Sequence, residues 1–236
     1  MFGISTFCLH ELPLPEALDR LRGLTDTVEI MDDGNHFLES AEPLESFGLR
    51  YFLHSPSRGV NIASLREPIR RASVEVISQC FAVAAEVDAP VVVHPGYFAW
   101  KGEREAALAR FRRSLGDLKQ AAGELSVAFY IENMPAWDYF FLRFPDEIPL
   151  LDGQGFALDV GHANLNGCLP GFLGERLAHV HLHDNDGKTD SHDPVGTGAI
   201  DFRPVLRAVE RDGASAIIEV STLDGVLRSK EILEGL

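Results

Sequence analysis

Short apolar runs recur along the whole chain, and each ends at or near a polar or ionisable residue. They cover residues 2–6, 27–31, 50–54, 91–94, 127–132, 156–159, 178–183 and 216–220. A short apolar run with polar boundaries is typical of a buried β-strand. The pattern therefore predicts eight strands.

Segments with helical periodicity lie between several of these runs. The clearest are residues 15–24, 68–87, 103–122 and 202–211. Gly123 and Gly213 follow the last two, and we expect glycine to end these helices because it adopts the left-handed conformation at low cost. The segments after the second, fifth and sixth runs have no clear apolar stripe, so their helix bounds stay open.

Eight alternating strand and helix units of about thirty residues are typical of a (β/α)8 barrel. The competing fold is a doubly wound open sheet, which usually has a glycine-rich fingerprint after its first strand. No such fingerprint follows Thr6. Because the chain has no linker or composition break, we predict one domain over residues 1–236: a single (β/α)8 TIM barrel.

Ionisable residues lie at or near the ends of seven of the predicted strands. They are Glu29, His54, His94, Glu132, Asp159, His181 and Glu219. The carboxyl ends of barrel strands surround one mouth, where the chemistry of such barrels takes place. We therefore expect these side chains to converge there.

Four of these residues form a plausible donor set for a divalent metal ion: Glu132, Asp159, His181 and Glu219. Carboxylates in apolar strands are costly unless a cation or proton neutralises them. Salt bridges are the alternative, but the arginines lie mainly on the predicted helices. Three carboxylates and one imidazole suit a divalent ion, and zinc or manganese is our first choice.

Residues 178–202 hold the densest group of metal-ligand side chains. His179, His181 and His183 alternate along a strand and so share one face. The glycine-rich loop that follows contains Asp184, Asp186, Asp190, His192 and Asp193. The alternative is a solvated acidic loop, but such a loop has no use for this much histidine. The stretch therefore favours a metal site.

Composition restricts the partners and the compartment. Hydrophobic residues make up 45% of the chain, and the net charge is −15. This acidity argues against broad binding of phosphate backbones, although bound cations would add uncounted positive charge. The three cysteines lack disulfide or metal spacing, and no signal peptide or membrane-spanning run is visible. We expect a cytoplasmic protein without membrane contact.

The order of several short motifs resembles the xylose isomerase-like barrel superfamily. The motifs are residues 53–56 (LHSP), 61–64 (NIAS), 92–96 (VVHPG), 131–133 (IEN), 158–162 (LDVGH), 181–185 (HLHDN), 190–192 (DSH) and 196–202 (GTGAIDF). This superfamily contains sugar and sugar-phosphate isomerases and epimerases, and also the endonuclease IV family of abasic-site nucleases. In the isomerase branch, the resemblance implies that Glu132, Asp159, His181 and Glu219 hold the metal and that His162 contacts substrate.

The nuclease branch of the resemblance implies a larger cluster of three metal ions. Its five further ligands match His54, His94, His162, Asp190 and His192. The chain departs from the nuclease pattern at His183 and Asn185, and its loop over residues 31–36 is acidic. Few cations are available near the mouth: Arg58, Lys101, Arg104, Arg143 and Lys188. These departures disfavour nucleic acid as a partner.

Our main hypothesis is a metal-dependent isomerase or epimerase of a sugar or sugar phosphate. Glu132 and Glu219 would be the catalytic acid/base pair that moves a proton through an enediolate. The predicted substrate-binding residues are His162, His183, Trp137 and, for a phosphate, Arg58 or Lys101. The alternative is a phosphoesterase like endonuclease IV, with up to three ions and Glu132 between two of them.

A third class, a barrel without activity that acts as a scaffold, is disfavoured by the intact ligand set. Barrels of this kind often form homodimers, but the sequence shows no interface.

Overall fold

The computed structural model describes residues 2–236, and its centre is a closed barrel of eight parallel strands. The strands are β1 (Gly3–Ser5), β2 (Thr27–Met31), β3 (Arg50–His54), β4 (Val91–Val93), β5 (Phe129–Glu132), β6 (Gly155–Asp159), β7 (His179–Leu182) and β8 (Ser215–Ile218). Each strand pairs with the next, and β8 pairs with β1. The predicted (β/α)8 TIM barrel is confirmed. The domain bounds stay a prediction.

The helices surround the barrel and bury their apolar faces against it. They are α1 (Leu14–Leu21), α2 (Glu42–Glu45), α3 (Glu67–Glu86), α4 (Arg104–Leu125), α5 (Val160–Leu165), α6 (Leu169–Phe172), α7 (Phe202–Asp212) and α8 (Leu223–Glu234). A continuous core of buried aliphatic and aromatic side chains fills the space between helices and strands. No helix within residues 2–236 combines the length and apolar character needed to cross a membrane.

The helix α4 ends later than its sequence predicted. Gly123 was the expected end, but the helix continues to Leu125, and Ser126 takes the left-handed conformation with φ of 58°. The amide of Val127 donates to the carbonyl of Ala122, which closes the helix end and leads the chain into β5. Gly213, by contrast, does end α7 in the left-handed conformation, as expected.

The units after β2, β5 and β6 have no long helix, in agreement with their weak periodicity. The first has a 3-10 helix over Gly34–His36 and the four-residue α2, and the second has a 3-10 helix over Pro145–Leu151. The third has the short helices α5 and α6. The long loops of these units lie near the carboxyl ends of the strands, where the ionisable residues meet.

Strand register brings these residues toward the same end of the barrel. Asp159 lies opposite His181, whereas Glu132 lies opposite Ala157, so β6 extends two residues beyond the end of β5. The carboxyl ends of the parallel strands surround one mouth of the barrel, and the side chains at those ends meet there.

Candidate metal centre

Glu132, Asp159, His181 and Glu219 meet at the mouth of the barrel, and we call them the central group. One donor atom of each lies within 4.8 Å of the others. Nδ1 of His181 is 3.0 Å from a Glu132 oxygen and 3.2 Å from a Glu219 oxygen. All four residues are buried, with exposed fractions of 3% or less. The group thus has the size and the donor types of a divalent metal site.

Close contact with imidazoles controls the ionisation of Glu132 and Asp159. Burial alone would raise the pKa of Glu132, but the charge of His181 and hydrogen bonds from His181, His54 and His94 hold that pKa well below its usual range. Burial would also raise the pKa of Asp159, but the charges of His162 and His183 outweigh it and lower that pKa. Glu132 and Asp159 are therefore anions, and the central group suits a cation in both charge and donor chemistry.

A helix N-terminus and an asparagine hold Asp159 in place. Asp159 ends β6 and caps α5, where its carboxylate accepts the backbone N–H of His162 at 2.6 Å. The side chain of Asn133 joins the ends of β5 and β6, because it accepts from the Asp159 amide at 2.7 Å and donates to the Asp159 carbonyl at 3.0 Å. Asn133 was part of the IEN motif, but its role depends on a contact between strands that the sequence does not reveal.

His54 and His94 lie beside Glu132 and form, with it, the first outer group. Nε2 of His94 is 2.9 Å and Nε2 of His54 is 3.3 Å from the same Glu132 oxygen. Burial lowers the pKa of His54, but the hydrogen bond and charge of Glu132 outweigh it and raise that pKa to about 9. Glu132 therefore belongs to two candidate metal groups at once.

His162, Asp190 and His192 form the second outer group, which His183 joins. Nε2 of His162 is 3.2 Å from Asp190, and Nε2 of His192 is 3.7 Å from it. The ring of His183 stacks on that of His192 at 3.8 Å, while its Nε2 lies 3.0 Å from Asp159. His183, predicted to bind substrate, thus connects the second outer group with the central group. Its assignment to substrate stays a prediction.

Asp184 holds the loop that supplies Asp190 and His192. Its buried carboxylate accepts four backbone N–H groups, from Asn185, Gly196, Gly198 and Ile200, at 2.9 to 3.2 Å. Backbone hydrogen bonds between Asp184 and Asp193 close the loop in both directions. Among the acidic residues of this loop, Asp184 is therefore a structural anchor, which its sequence context did not reveal.

A cavity of about 650 Å³ opens above the three groups. Phe7, Met31, Met134 and Pro135 supply apolar walls, and within residues 2–236 Arg58 is the only lysine or arginine that lines the cavity. Lys101 lines a separate cavity of about 400 Å³ beside Tyr139 and Arg143. Trp137 packs against Tyr97 and Phe140 on the rim and does not line the large cavity.

Glu29 does not reach the mouth, contrary to expectation. It is the third residue of β2, fully buried, and it lies 2.8 Å from Nε2 of His181 and 2.9 Å from Nε2 of His179. Its side chain therefore occupies the interior layer below the central group. Glu29 lies in the middle of β2 and not at its end, and this position decides where its side chain lies. The sequence pattern did not distinguish a residue in the middle of this strand from one at its end.

The acidic loop after β2 has structural roles that its charge alone did not suggest. The carboxylate of Asp32 is buried and accepts the Leu38 amide, and burial raises the pKa of Asp32 to about 6. Asp33 accepts from the backbone and hydroxyl of Ser57, each at 2.9 Å, and so positions the loop that contains Arg58.

Comparison with known proteins finds relatives that match most of the chain. An uncharacterized protein of Methanocaldococcus jannaschii is 37% identical over 228 residues, which cover 92% of this chain and 91% of that protein. A probable endonuclease 4 of Mycobacterium leprae is 31% identical over 206 residues, which cover 77% of each chain.

A solved structure described as a D-tagatose 3-epimerase-like protein superposes with a TM-score of 0.92 at 28% identity. The match covers 99% of this chain and 96% of that one. The family described as xylose isomerase-like TIM barrel matches residues 25–235. The chain therefore belongs to the xylose isomerase-like TIM barrel family.

Proposed function

We propose that the protein is a divalent-metal-dependent isomerase or epimerase of a sugar or sugar phosphate. The observation that carries this proposal is the central group, in which three carboxylates and one imidazole lie buried at the floor of a cavity of small-molecule size. The likeness to a D-tagatose 3-epimerase-like protein extends over nearly the whole of both chains and supports the same reaction class.

Zinc or manganese is the ion we propose for the central group, held by Glu132, Asp159, His181 and Glu219. When bound, such an ion polarises a carbonyl and an adjacent hydroxyl of the substrate, which acidifies the neighbouring C–H bond. The carboxylates of Glu132 and Glu219 lie 3.0 Å and 3.2 Å from Nδ1 of His181, so both face the same central site. We assign to them the removal and return of the carbon-bound proton.

The cavity supports a small substrate rather than a polynucleotide. Apart from its histidines, the charged side chains among residues 2–236 that line it are Glu11, Asp33, Glu132, Asp190 and Glu219 against Arg58. Duplex binding draws much of its affinity from phosphate neutralisation by basic side chains. Arg58 is our candidate for a substrate phosphate, and His162 and His183 are our candidates for binding substrate oxygens.

Solvent deuterium exchange tests this proposal. The manganese- or zinc-loaded protein in D2O should introduce deuterium at a carbon next to the carbonyl of at least one ketose or ketose phosphate. Glu219→Gln should abolish exchange and leave the fold intact, while Glu210→Gln, the same change on an exposed helix surface, should leave it unchanged. Absence of exchange over a broad panel of sugars and their phosphates would refute the proposal.

A metal-dependent phosphoesterase is the second candidate, favoured by one specific observation. The two outer groups hold His54, His94, His162, Asp190 and His192 around the central group, and Glu132 is shared between two groups. Several ions would stabilise both the attacking and the leaving oxygen of a phosphodiester. Close to three tightly held ions per chain, together with cleavage of an abasic oligonucleotide, would favour this candidate over the first.

A further inference from the structure

Glu29 lies inside the barrel between two histidines of β7. Its two carboxylate oxygens lie 2.9 Å from Nε2 of His179 and 2.8 Å from Nε2 of His181. All three side chains have no exposed surface. The interior layers of such barrels are usually filled by branched aliphatic side chains, so a carboxylate here is a costly choice.

Three other histidines around the mouth, His54, His162 and His192, are anchored in a different way. Nδ1 of each of three histidines donates to a backbone carbonyl: that of His54 to Ser55 at 3.0 Å, that of His162 to Asn133 at 2.8 Å, and that of His192 to Glu219 at 2.9 Å. Each of these rings therefore directs Nε2 toward the ligand groups. A hydrogen bond at one ring nitrogen fixes which nitrogen remains free for a metal ion.

His181 has the reverse orientation. Its Nδ1 faces Glu132 and Glu219 in the central group, and its Nε2 points back into the barrel toward Glu29. The nitrogen of His181 that faces away from the central group therefore meets a carboxylate, whereas the corresponding nitrogens of His54, His162 and His192 meet neutral carbonyls. A carboxylate at that position makes the imidazole a stronger donor to a cation.

His179 holds the other side of Glu29. Its Nδ1 lies 2.8 Å from the hydroxyl of Ser215, and its ring lies against Phe52 and stacks on Tyr130. Packing thus fixes His179, and His179 limits the movement of Glu29. Neither Glu29 oxygen nor either Nε2 atom has a well-directed hydrogen bond to any described residue. A layer that served packing alone would gain nothing from three such polar groups.

We propose that Glu29, held by His179, is a positioning residue that keeps His181 with Nδ1 directed at the central ion. The inference rests on the metal site of the proposed function. Removing the outer partner of a metal-bound histidine typically lowers metal affinity by about 10- to 100-fold. Glu29→Gln keeps the shape of the side chain and removes its charge, so we expect a loss of zinc affinity within that range.

The test compares zinc affinity, measured by competition with a chromophoric chelator, among wild type, Glu29→Gln and Asp32→Asn. Asp32 is the matched control because it is a buried carboxylate next to β2 with no contact to His181. We expect a 10- to 100-fold weaker zinc affinity for Glu29→Gln and an unchanged affinity for Asp32→Asn. Equal affinity of Glu29→Gln and wild type would overturn the inference and leave the proposed function standing. Failure of the wild type to bind either zinc or manganese would overturn both.

Histidine nitrogen NMR of the zinc-loaded wild type gives a second measurement that does not depend on a variant that folds. We expect His181 to have its proton on Nε2, with the downfield shift of an N–H that donates to a carboxylate. A proton on Nδ1 of His181 would overturn the inference. In Glu29→Gln, if it folds, the downfield shift should be lost, a change that a purely structural role of Glu29 would not predict.

Discussion

The central group and the two outer groups use the same residue types but differ in exposure. Every member of the central group is almost fully buried. In the outer groups, by contrast, the side chain of His94 is 29% exposed, that of Asp190 is 32% exposed and that of His192 is 17% exposed. A buried cluster of anions needs a cation for its stability, whereas an open cluster can be satisfied by water.

The origin of the two kinds of group explains the difference. Strand ends and the residue after β8 supply the whole central group, so the barrel fixes it as it closes. The second outer group depends on Asp190 and His192, which lie on a loop that Asp184 anchors. We therefore expect the central site to be formed in advance and the second outer site to adapt. The number of ions bound then distinguishes the two candidate reactions.

The largest effect is expected for Glu132→Gln, since Glu132 belongs to both the central and the first outer group. The loss of a direct ligand should exceed the loss of an outer partner, so metal affinity should fall by at least about 100-fold. Elemental analysis after gel filtration measures this, with Glu210→Gln as the control. Retention of the full metal content would refute the central group as the metal site.

The next effect concerns the loop anchor. In Asp184→Asn, either orientation of the amide places an NH2 against two backbone N–H donors, so we expect a loss of about 2 kcal/mol in the free energy of unfolding. Denaturant unfolding measures this loss, with Glu210→Gln again as the control. Metal in the central group should remain, because Asp184 contacts none of its members. If Asp184→Asn lost the metal of the central group as well as the order of the loop, the central group and the second outer group would not be independent.

The stability of the metal-free protein and that of the metal-loaded protein should depend on pH in different ways. Burial lowers the pKa of His162, but the charge of Asp159 and the hydrogen bond and charge of Asp190 raise it to about 10, and the pKa of His54 is about 9. An unfolded histidine titrates near pH 6.5, at about the ordinary value. Groups whose pKa is raised by folding stabilise the metal-free protein fully below that pH and lose this contribution as the pH rises through 9 to 10.

Metal binding needs neutral imidazoles and so becomes stronger over the same pH range. Zinc should therefore stabilise the protein more at pH 9 than at pH 7. Thermal unfolding with zinc and with a chelator at the two pH values checks this expectation. A zinc stabilisation that does not change with pH would contradict it.

The smallest effect is expected for His94→Ala. If the reaction is proton transfer at the central group, deuterium exchange should fall less than about tenfold, or about 1.4 kcal/mol in activation free energy. If the reaction is phosphoester hydrolysis, this substitution removes a ligand and should abolish cleavage. Exchange and cleavage assays on one preparation of His94→Ala thus decide which groups act in the reaction.

Much of the fold was predictable from local pattern. The bounds predicted for β2 and β3 agree with the structure, because both strands are short, apolar and bounded by polar residues. The end of α4 was not predictable in the same way. Gly123 has the lowest local cost for ending a helix, but the contact between Val127 and Ala122 sets the end at Ser126.

The candidate site also has features that the sequence predicted and features that it did not predict. Order along the chain identified the central group, His54 and His94, because strand ends in a barrel converge, and the family resemblance implied His162, Asp190 and His192 as further ligands. The placement of Lys101 beside a second cavity and of Trp137 on the rim depends on loop packing, which no local pattern encodes. Their predicted contact with substrate stays a prediction.

The sequence alone determined which residue types stand at each strand end, and hence the barrel and the donor set. That information is local, because each strand was predicted from its own apolar run and the polar residues at its boundaries. The tertiary structure decided which nitrogen of each histidine faces the site, that Glu29 lies below the mouth, and that Asp184 anchors a loop. These features arise from contacts between residues far apart in the chain, whose geometry is fixed only when the barrel closes.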